Sequence, residues 1–174
     1  MTPCVRRPRR SPPGLSSCPP ERLSRRDQIE LDQAEIAAFL KEQRVVICAS
    51  NGPRGWPHLM PLWYVLRGDD IWAWTYAKSQ KVRNLERDAR ATLQIEAGDE
   101  YQDLRGVMIE ARTEIRRDTE LVAGLGAELF ERYGQGAGAE VMDVIRAQAA
   151  KRVALRFIAE RTASWDHRKL GGGY

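Results

Sequence analysis

An antiparallel β-barrel with helices at its periphery, a mainly β fold, is the class that the sequence predicts, and three observations carry it. Side chains alternate between apolar and polar with a period of two over residues 91–96 and 107–112, and an aromatic version of the same alternation occupies 71–76. The early strand segments are joined by turn-forming runs, Asn51-Gly-Pro-Arg-Gly55 and Arg67-Gly-Asp-Asp70. Helical periodicity is confined to the start of the domain, a short stretch near residue 80 and a late pair. That is not the strand and helix alternation of a parallel sheet.

Residues 1–28 are rich in Pro, Arg and Ser and have no apolar period, so a disordered extension is expected there, with the folded domain at 29–174. The extension lacks the apolar run of a secretory signal. The domain opens with a helix. Asp32 and Glu35 have the spacing of a capping box, Leu31 and Ile36 that of a hydrophobic staple, and Ile36, Phe39 and Leu40 form the buried face. Strands are then expected at 45–49, at 58–66 and, across the 67–70 turn, at 71–76. Two more follow at 91–95 and 107–111. Leu121, Leu125 and Leu129 mark a helix ending near Gly134, and Val141, Val144 and Ile145 mark the next. Strands at 153–157 and 161–166 close the domain.

The most informative stretch runs from Trp72 to Leu85. Ile71, Ala73 and Thr75 point to one face and Trp72, Trp74 and Tyr76 to the other, after which Ser79 stands where a helix N-cap belongs. Val82 and Leu85 supply the apolar stripe of that helix. Lys78, Lys81 and Arg83 crowd its start, where the helix dipole already places partial positive charge. A bound anion would turn that conflict into a site, since free backbone N–H groups and ammonium groups both favour phosphate. A solvated basic face is the alternative, and composition does not choose between them.

Charge and cysteine content narrow the function classes. Residues 1–28 hold seven arginines against Glu21 and Asp27, a surplus of five, so the remaining 21 basic and 22 acidic side chains sum to −1 in a chain of net charge +4. The basic character belongs to the extension, which has no aromatic or helical base-reading element, and a nucleic-acid partner is not expected. No run approaches a membrane span, and no membrane partner is expected. Cys48 sits within an apolar run while Cys4 and Cys18 lie in the extension, and His58 and His167 are the only histidines. Neither a disulfide framework nor a metal site is expected, and a reducing cytoplasm fits.

The hairpin Leu59-Met-Pro-Leu-Trp63, the Trp74-Thr75 pair, Lys78-Ser-Gln-Lys81 with Asn84, and the ending Ser164-Trp-Asp-His-Arg-Lys-Leu170 together resemble the FMN-binding split-barrel superfamily. This is the family of pyridoxamine 5'-phosphate oxidase and the flavin and deazaflavin oxidoreductases. The resemblance spans residues 31–174. It implies a homodimeric split β-barrel with a flavin-like cofactor in a groove at the dimer interface. Carried over, Leu59, Met60, Pro61, Leu62 and Trp63 lie along the cofactor ring, Trp74 and Thr75 near its phosphoribityl chain, and Lys78, Ser79, Gln80 and Lys81 at its phosphate, with Asn84 as a helper. Pro61 also reads as a simple edge-strand proline, and Trp72 and Trp74 as ordinary core.

Two departures bear on the cofactor. Pyridoxamine phosphate oxidases carry an Arg-Lys pair where this chain has Gln80-Lys81, and their carboxy-terminal Arg-Leu substrate motif is not reproduced. The Ser164-to-Leu170 ending instead resembles the branch that uses the deazaflavin coenzyme F420. The resemblance therefore implies an oxidoreductase that passes a hydride from reduced coenzyme F420 to a small organic acceptor. An FMN enzyme like pyridoxamine phosphate oxidase, and a non-catalytic flavin or haem binder, are the alternatives. No catalytic side chain is assigned, and water, Tyr76 and His58 remain open as proton donors.

Overall fold

The structure, a computed structural model, describes residues 24–134 and 138–171. Among these residues the strands are β1 (Val45–Asn51), β2 (Pro57–Trp63), β3 (Val65–Arg67), β4 (Asp70–Tyr76), β5 (Arg90–Ala97), β6 (Arg105–Arg116) and β7 (Arg152–Asp166). The helices are α1 (Arg25–Ile29), α2 (Gln33–Glu42), α3 (Gln80–Arg87), α4 (Thr119–Arg132) and α5 (Ala139–Ala149). The strands form one antiparallel sheet in the order β2-β1-β5-β6-β7-β4-β3. It curls until β2 comes back against β4, giving the split half-barrel that the sequence predicts.

Two apolar clusters hold the sheet from its two faces. Val46, Cys48, Leu93, Ile95, Val107 and Leu155 fill the inside of the curl with Ile71 and Ala73 from β4. Trp72 and Trp74 point the other way, into a second cluster with Leu125, Leu129 and Ile145 of α4 and α5. The alternation along β4 is therefore correct in phase, but both faces are covered. Gly126 makes the outer packing possible. A Cβ there would lie 2.6 Å from Trp74 Cζ3 and 2.9 Å from Ile145 Cγ2.

Helix starts follow local chemistry. Asp32 and Glu35 form the expected reciprocal capping box at α2. Ser24 and Asp27 form another at α1. The helix α1 falls within the segment expected to be a disordered extension, so order reaches back to Ser24; residues 1–23 lie outside the described residues. Leu31 N–H donates to Ser164 Oγ at 3.0 Å, and Lys169 Nζ meets Glu35 Oε2 at 2.6 Å, so the carboxy-terminal ending ties down the start of α2.

Three further expectations differ in the structure. The single strand expected at 58–66 is cut at Tyr64, which leaves β2 and β3 on opposite edges of the sheet. Tyr64 is fully buried, its hydroxyl donates to Leu40 O at 2.7 Å, and its N–H donates to Tyr133 Oη at 3.0 Å. These bonds to α2 and to the end of α4 replace ladder pairing at the crossing point. The two strands expected at 153–157 and 161–166 are instead one strand, β7, whose register against β6 shifts between Glu110 and Ala111 so that Glu160 is skipped. The polar interruption there is a bulge and not a turn. Of the three residues expected to mark α5, Ile145 is fully buried but Val144 is 50% exposed.

The Asp166 carboxylate is buried and receives Arg168 Nε at 2.9 Å and Nη2 at 2.6 Å. The Arg168 hydrogen bond holds it below its ordinary value of 3.8. A carboxyl depressed on folding adds stability at pH values above its unfolded value and loses it as pH falls through the folded one. Asp166→Asn is therefore expected to lower stability at neutral pH by roughly 1 kcal/mol, about 2–4 °C in melting temperature, since Arg168 is half exposed. The deficit should shrink below pH 3.8, and melting curves at pH 7 and pH 3 check it.

Candidate functional site

A groove of about 520 Å³ opens where β2, the end of β4, the start of α3, and the α4–α5 side meet. One wall is Met60, Pro61, Leu62 and Trp63. Trp74, Thr75 and Lys81 form the floor, and Leu129, Phe130, Gln148 and Arg152 complete it. Seven of the residues expected to touch a cofactor thus converge on one space: Met60, Pro61, Leu62, Trp63, Trp74, Thr75 and Lys81.

The wall is an edge strand. Pro61 pairs with Ile47 of β1, and among the described residues no strand flanks β2 on its other side. Alternate backbone groups of an edge strand point away from its ladder and are open to a ligand. Trp63 is fixed by stacking on Tyr133, with ring centroids 4.2 Å apart and planes 11° from parallel. Leu59, Met60 and Trp63 nevertheless remain 56%, 43% and 42% exposed, an unusual concentration of apolar surface on one short strand.

Lys81 is the central feature. Ser79 caps α3, its Oγ accepting from Val82 N, and the helix turns Lys81 inward on the same side as Val82 and Leu85. The lysine is only 4% exposed, and its Nζ donates to Thr75 Oγ1 at 3.0 Å. Burial pushes its pKa below the ordinary 10.5, and Cys48 nearby opposes that shift without reversing it. Burial in turn raises the Cys48 thiol to about 11. Among the described residues, none lining the groove is acidic. A buried ammonium whose hydrogen-bond partner among the described residues is one neutral hydroxyl carries an uncompensated desolvation cost.

The remaining expected residues lie elsewhere. Lys78 and Gln80 are exposed, as is Arg83, and Ser79 is engaged in capping. Leu59 lies on β2 outside the groove lining. Asn84 is completely buried, donates to Ser50 Oγ at 3.2 Å and accepts from Gln80 Nε2 at 2.8 Å, so it joins α3 to β1. Of the open proton donors, Tyr76 stands exposed at the end of β4, and His58 lines a separate hollow with its Nδ1 buried and unpartnered. His167 turns inward to Tyr101, its Nδ1 2.9 Å from the Tyr101 carbonyl.

Arg152, Gln148, Leu129 and Phe130 were not expected at the site. Nothing local marks them. Arg152 reaches the groove because β7 pairs with β4 so that it faces Tyr76, and Phe130 because its ring meets Trp74 edge-on, 6.2 Å between centroids.

Residues 32–166 match the family model described as pyridoxamine 5'-phosphate oxidase. The chain belongs to that family. Among solved structures, a conserved hypothetical protein from Mycobacterium tuberculosis is 41% identical, with 87% of this chain and 95% of that one covered and a TM-score of 0.79. An F420 reductase is 18% identical over 72% of this chain and 94% of that one, at a TM-score of 0.58. A FAD-binding protein from Mesorhizobium loti is also 18% identical, over 78% and 94%, at 0.60. The last two show a shared fold. No curated protein matches the chain. Membership in the pyridoxamine 5'-phosphate oxidase family accounts for the split barrel. Among the described residues no helix is long and apolar enough to cross a membrane.

Proposed function

We propose that the protein is a cytoplasmic oxidoreductase that binds a phosphorylated flavin-like cofactor in this groove and passes a hydride to a small organic acceptor, with coenzyme F420 favoured over FMN. The observation that carries the reading is Lys81, a buried cation on a largely apolar and aromatic groove whose lining includes no acid among the described residues. The fit of such a cofactor is further supported by Arg152 Nε, buried on the same groove without a hydrogen-bond partner.

Lys81 and the Thr75 hydroxyl would hold the phosphate, the backbone edge of β2 would meet the polar rim of the ring, and Met60 and Trp63 would exclude water from its face. When bound, the cofactor supplies hydride transfer, and the protein contributes orientation and electrostatics. Preference for coenzyme F420 rests on Gln80, which stands where a second phosphate-binding arginine is characteristic of the FMN oxidases. Gln80 is turned back to Asn84 here and supplies no charge. The 18% identical F420 reductase of the same fold is consistent with this preference. The test is anaerobic oxidation of reduced coenzyme F420 with a panel of electron-poor acceptors. Turnover is expected with at least one of them. Oxygen-dependent oxidation of pyridoxamine 5'-phosphate with FMN would replace this reading by the alternative.

The reading includes a homodimer, since the exposed apolar side chains of β2 need a cover to complete the groove. Leu59→Glu is expected to shift the protein toward monomer in sedimentation at low micromolar concentration and to weaken cofactor binding with it. A wild-type monomer that binds cofactor fully would contradict this.

A further inference from the structure

The strands β4 and β7 run antiparallel with Tyr76 opposite Arg152 and Trp74 opposite Ala154, so Arg152, Tyr76 and Trp74 rise from one face of the sheet. The guanidinium carbon lies 4.4 Å from the Trp74 ring centroid and 4.2 Å from that of Tyr76. Its Nη2 donates to Gln148 Oε1 at 2.9 Å. Two rings and an amide therefore fix the plane of the guanidinium.

Stacking alone does not account for this placement. Among the described residues, Arg152 Nε is buried without a hydrogen-bond partner, and no carboxylate lines the groove that Arg152 lines. An unpaired buried donor on a cation is a penalty that an incoming acceptor would relieve. Lys81 serves the same groove from the other side of the ladder, because its partner Thr75 points opposite to Trp74 and Tyr76. The two cations thus enter one space from two faces.

We infer that Arg152 is a second anion-recognition residue, so that the groove takes two acidic groups at once, a phosphate at Lys81 and a further carboxylate or phosphate oxygen at the Arg152 fork. The first half of this statement rests on the proposed cofactor reading; the second stands on Arg152. The second acid has two possible carriers. A deazaflavin tail continues past its phosphate into carboxylates, whereas FMN ends at one phosphate, and a substrate acid could approach a cofactor of either kind.

The experiment titrates the full chain and its Arg152→Gln, Arg152→Lys and Lys81→Met variants with FMN and with coenzyme F420, followed by tryptophan fluorescence and cofactor absorbance. Cofactor-loaded protein is then titrated with benzoate as an aromatic carboxylate probe. If the cofactor tail carries the second acid, Arg152→Gln weakens coenzyme F420 roughly tenfold and FMN less than about twofold. If a second ligand carries it, both cofactors are unchanged and benzoate is weakened roughly tenfold. Arg152→Lys, which keeps the charge but not the planar fork, recovers part of the loss in either case and decides the matter should the glutamine variant not fold. Affinities within about twofold of wild type for all three probes, in a variant that melts as wild type does, would overturn the inference. Lys81→Met separates the two levels. Loss of cofactor there with a silent Arg152→Gln removes this inference alone, and silence in both removes the cofactor reading.

Discussion

Replacing Lys81 by methionine is expected to weaken cofactor binding roughly tenfold or more while making the cofactor-free protein more stable. A charge-assisted contact to phosphate contributes about 1.5–3 kcal/mol, and that is lost. In the absence of an anion, however, the ammonium is buried with only Thr75 Oγ1 to receive it. A thioether of similar length removes the buried charge, and a gain of about 1–3 kcal/mol is expected, partly offset by the Thr75 hydroxyl left behind. The sign of the pH dependence follows from burial. Since the folded-state pKa of Lys81 lies below 10.5, the unfolded chain binds more protons between the two values. Wild-type stability should therefore rise relative to Lys81→Met as pH climbs through that window toward 10.5. Below it the deficit is constant. Calorimetry of both proteins from pH 7 to 10.5, with and without cofactor, measures both parts. A variant that is less stable and binds as wild type would make Lys81 an ordinary structural residue.

Gly126→Val is expected to cost about 1–3 kcal/mol of stability and to distort the groove at the same time. The first added carbon already lies within 2.9 Å of both Trp74 and Ile145, and both belong to the cluster between α4 and the sheet. Either α4 withdraws, opening that cluster, or Trp74 turns toward the groove and occupies cofactor space. Either response weakens cofactor binding. Gly124→Ala is the control, since a Cβ there meets nothing within 4 Å, and the higher helix propensity of alanine should leave stability unchanged or slightly raised. Thermal melts and cofactor titrations of the two variants side by side check the contrast.

What could be read from the sequence is what local chemistry decides. The capping box at Asp32, the Ser79 cap, the turn at 67–70 and the phase of β4 each depend on residues within a few positions of one another, and each stands in the structure. Pro61 on an edge strand was legible for the same reason, because a missing N–H limits where a proline can sit. Of the groove lining, the segment from Met60 to Trp63, the Trp74-Thr75 pair and Lys81 were legible as neighbours of one another, and their role toward a cofactor remains the proposal made above. What escaped depends on contacts between distant segments. Tyr64 breaks its strand because Leu40 and Tyr133 bind it, and neither is near it in sequence. The bulge at Glu160 exists only relative to β6. Arg152 looks like an unremarkable strand residue until the β4–β7 register sets it against Tyr76 and Trp74. The equal standing given to Lys78 and Lys81 has the same origin, since spacing places both at a helix start but only packing shows which one is turned inward.

Equilibrium titration of the purified cofactor-free protein with coenzyme F420 and with FMN, each read by cofactor absorbance and fluorescence, tests the central claim most directly. Saturable binding of both is expected, with coenzyme F420 the tighter, and loss of both affinities in Lys81→Met. Absence of binding to either cofactor, or FMN binding more tightly than coenzyme F420 and undiminished by the loss of Lys81, would contradict it.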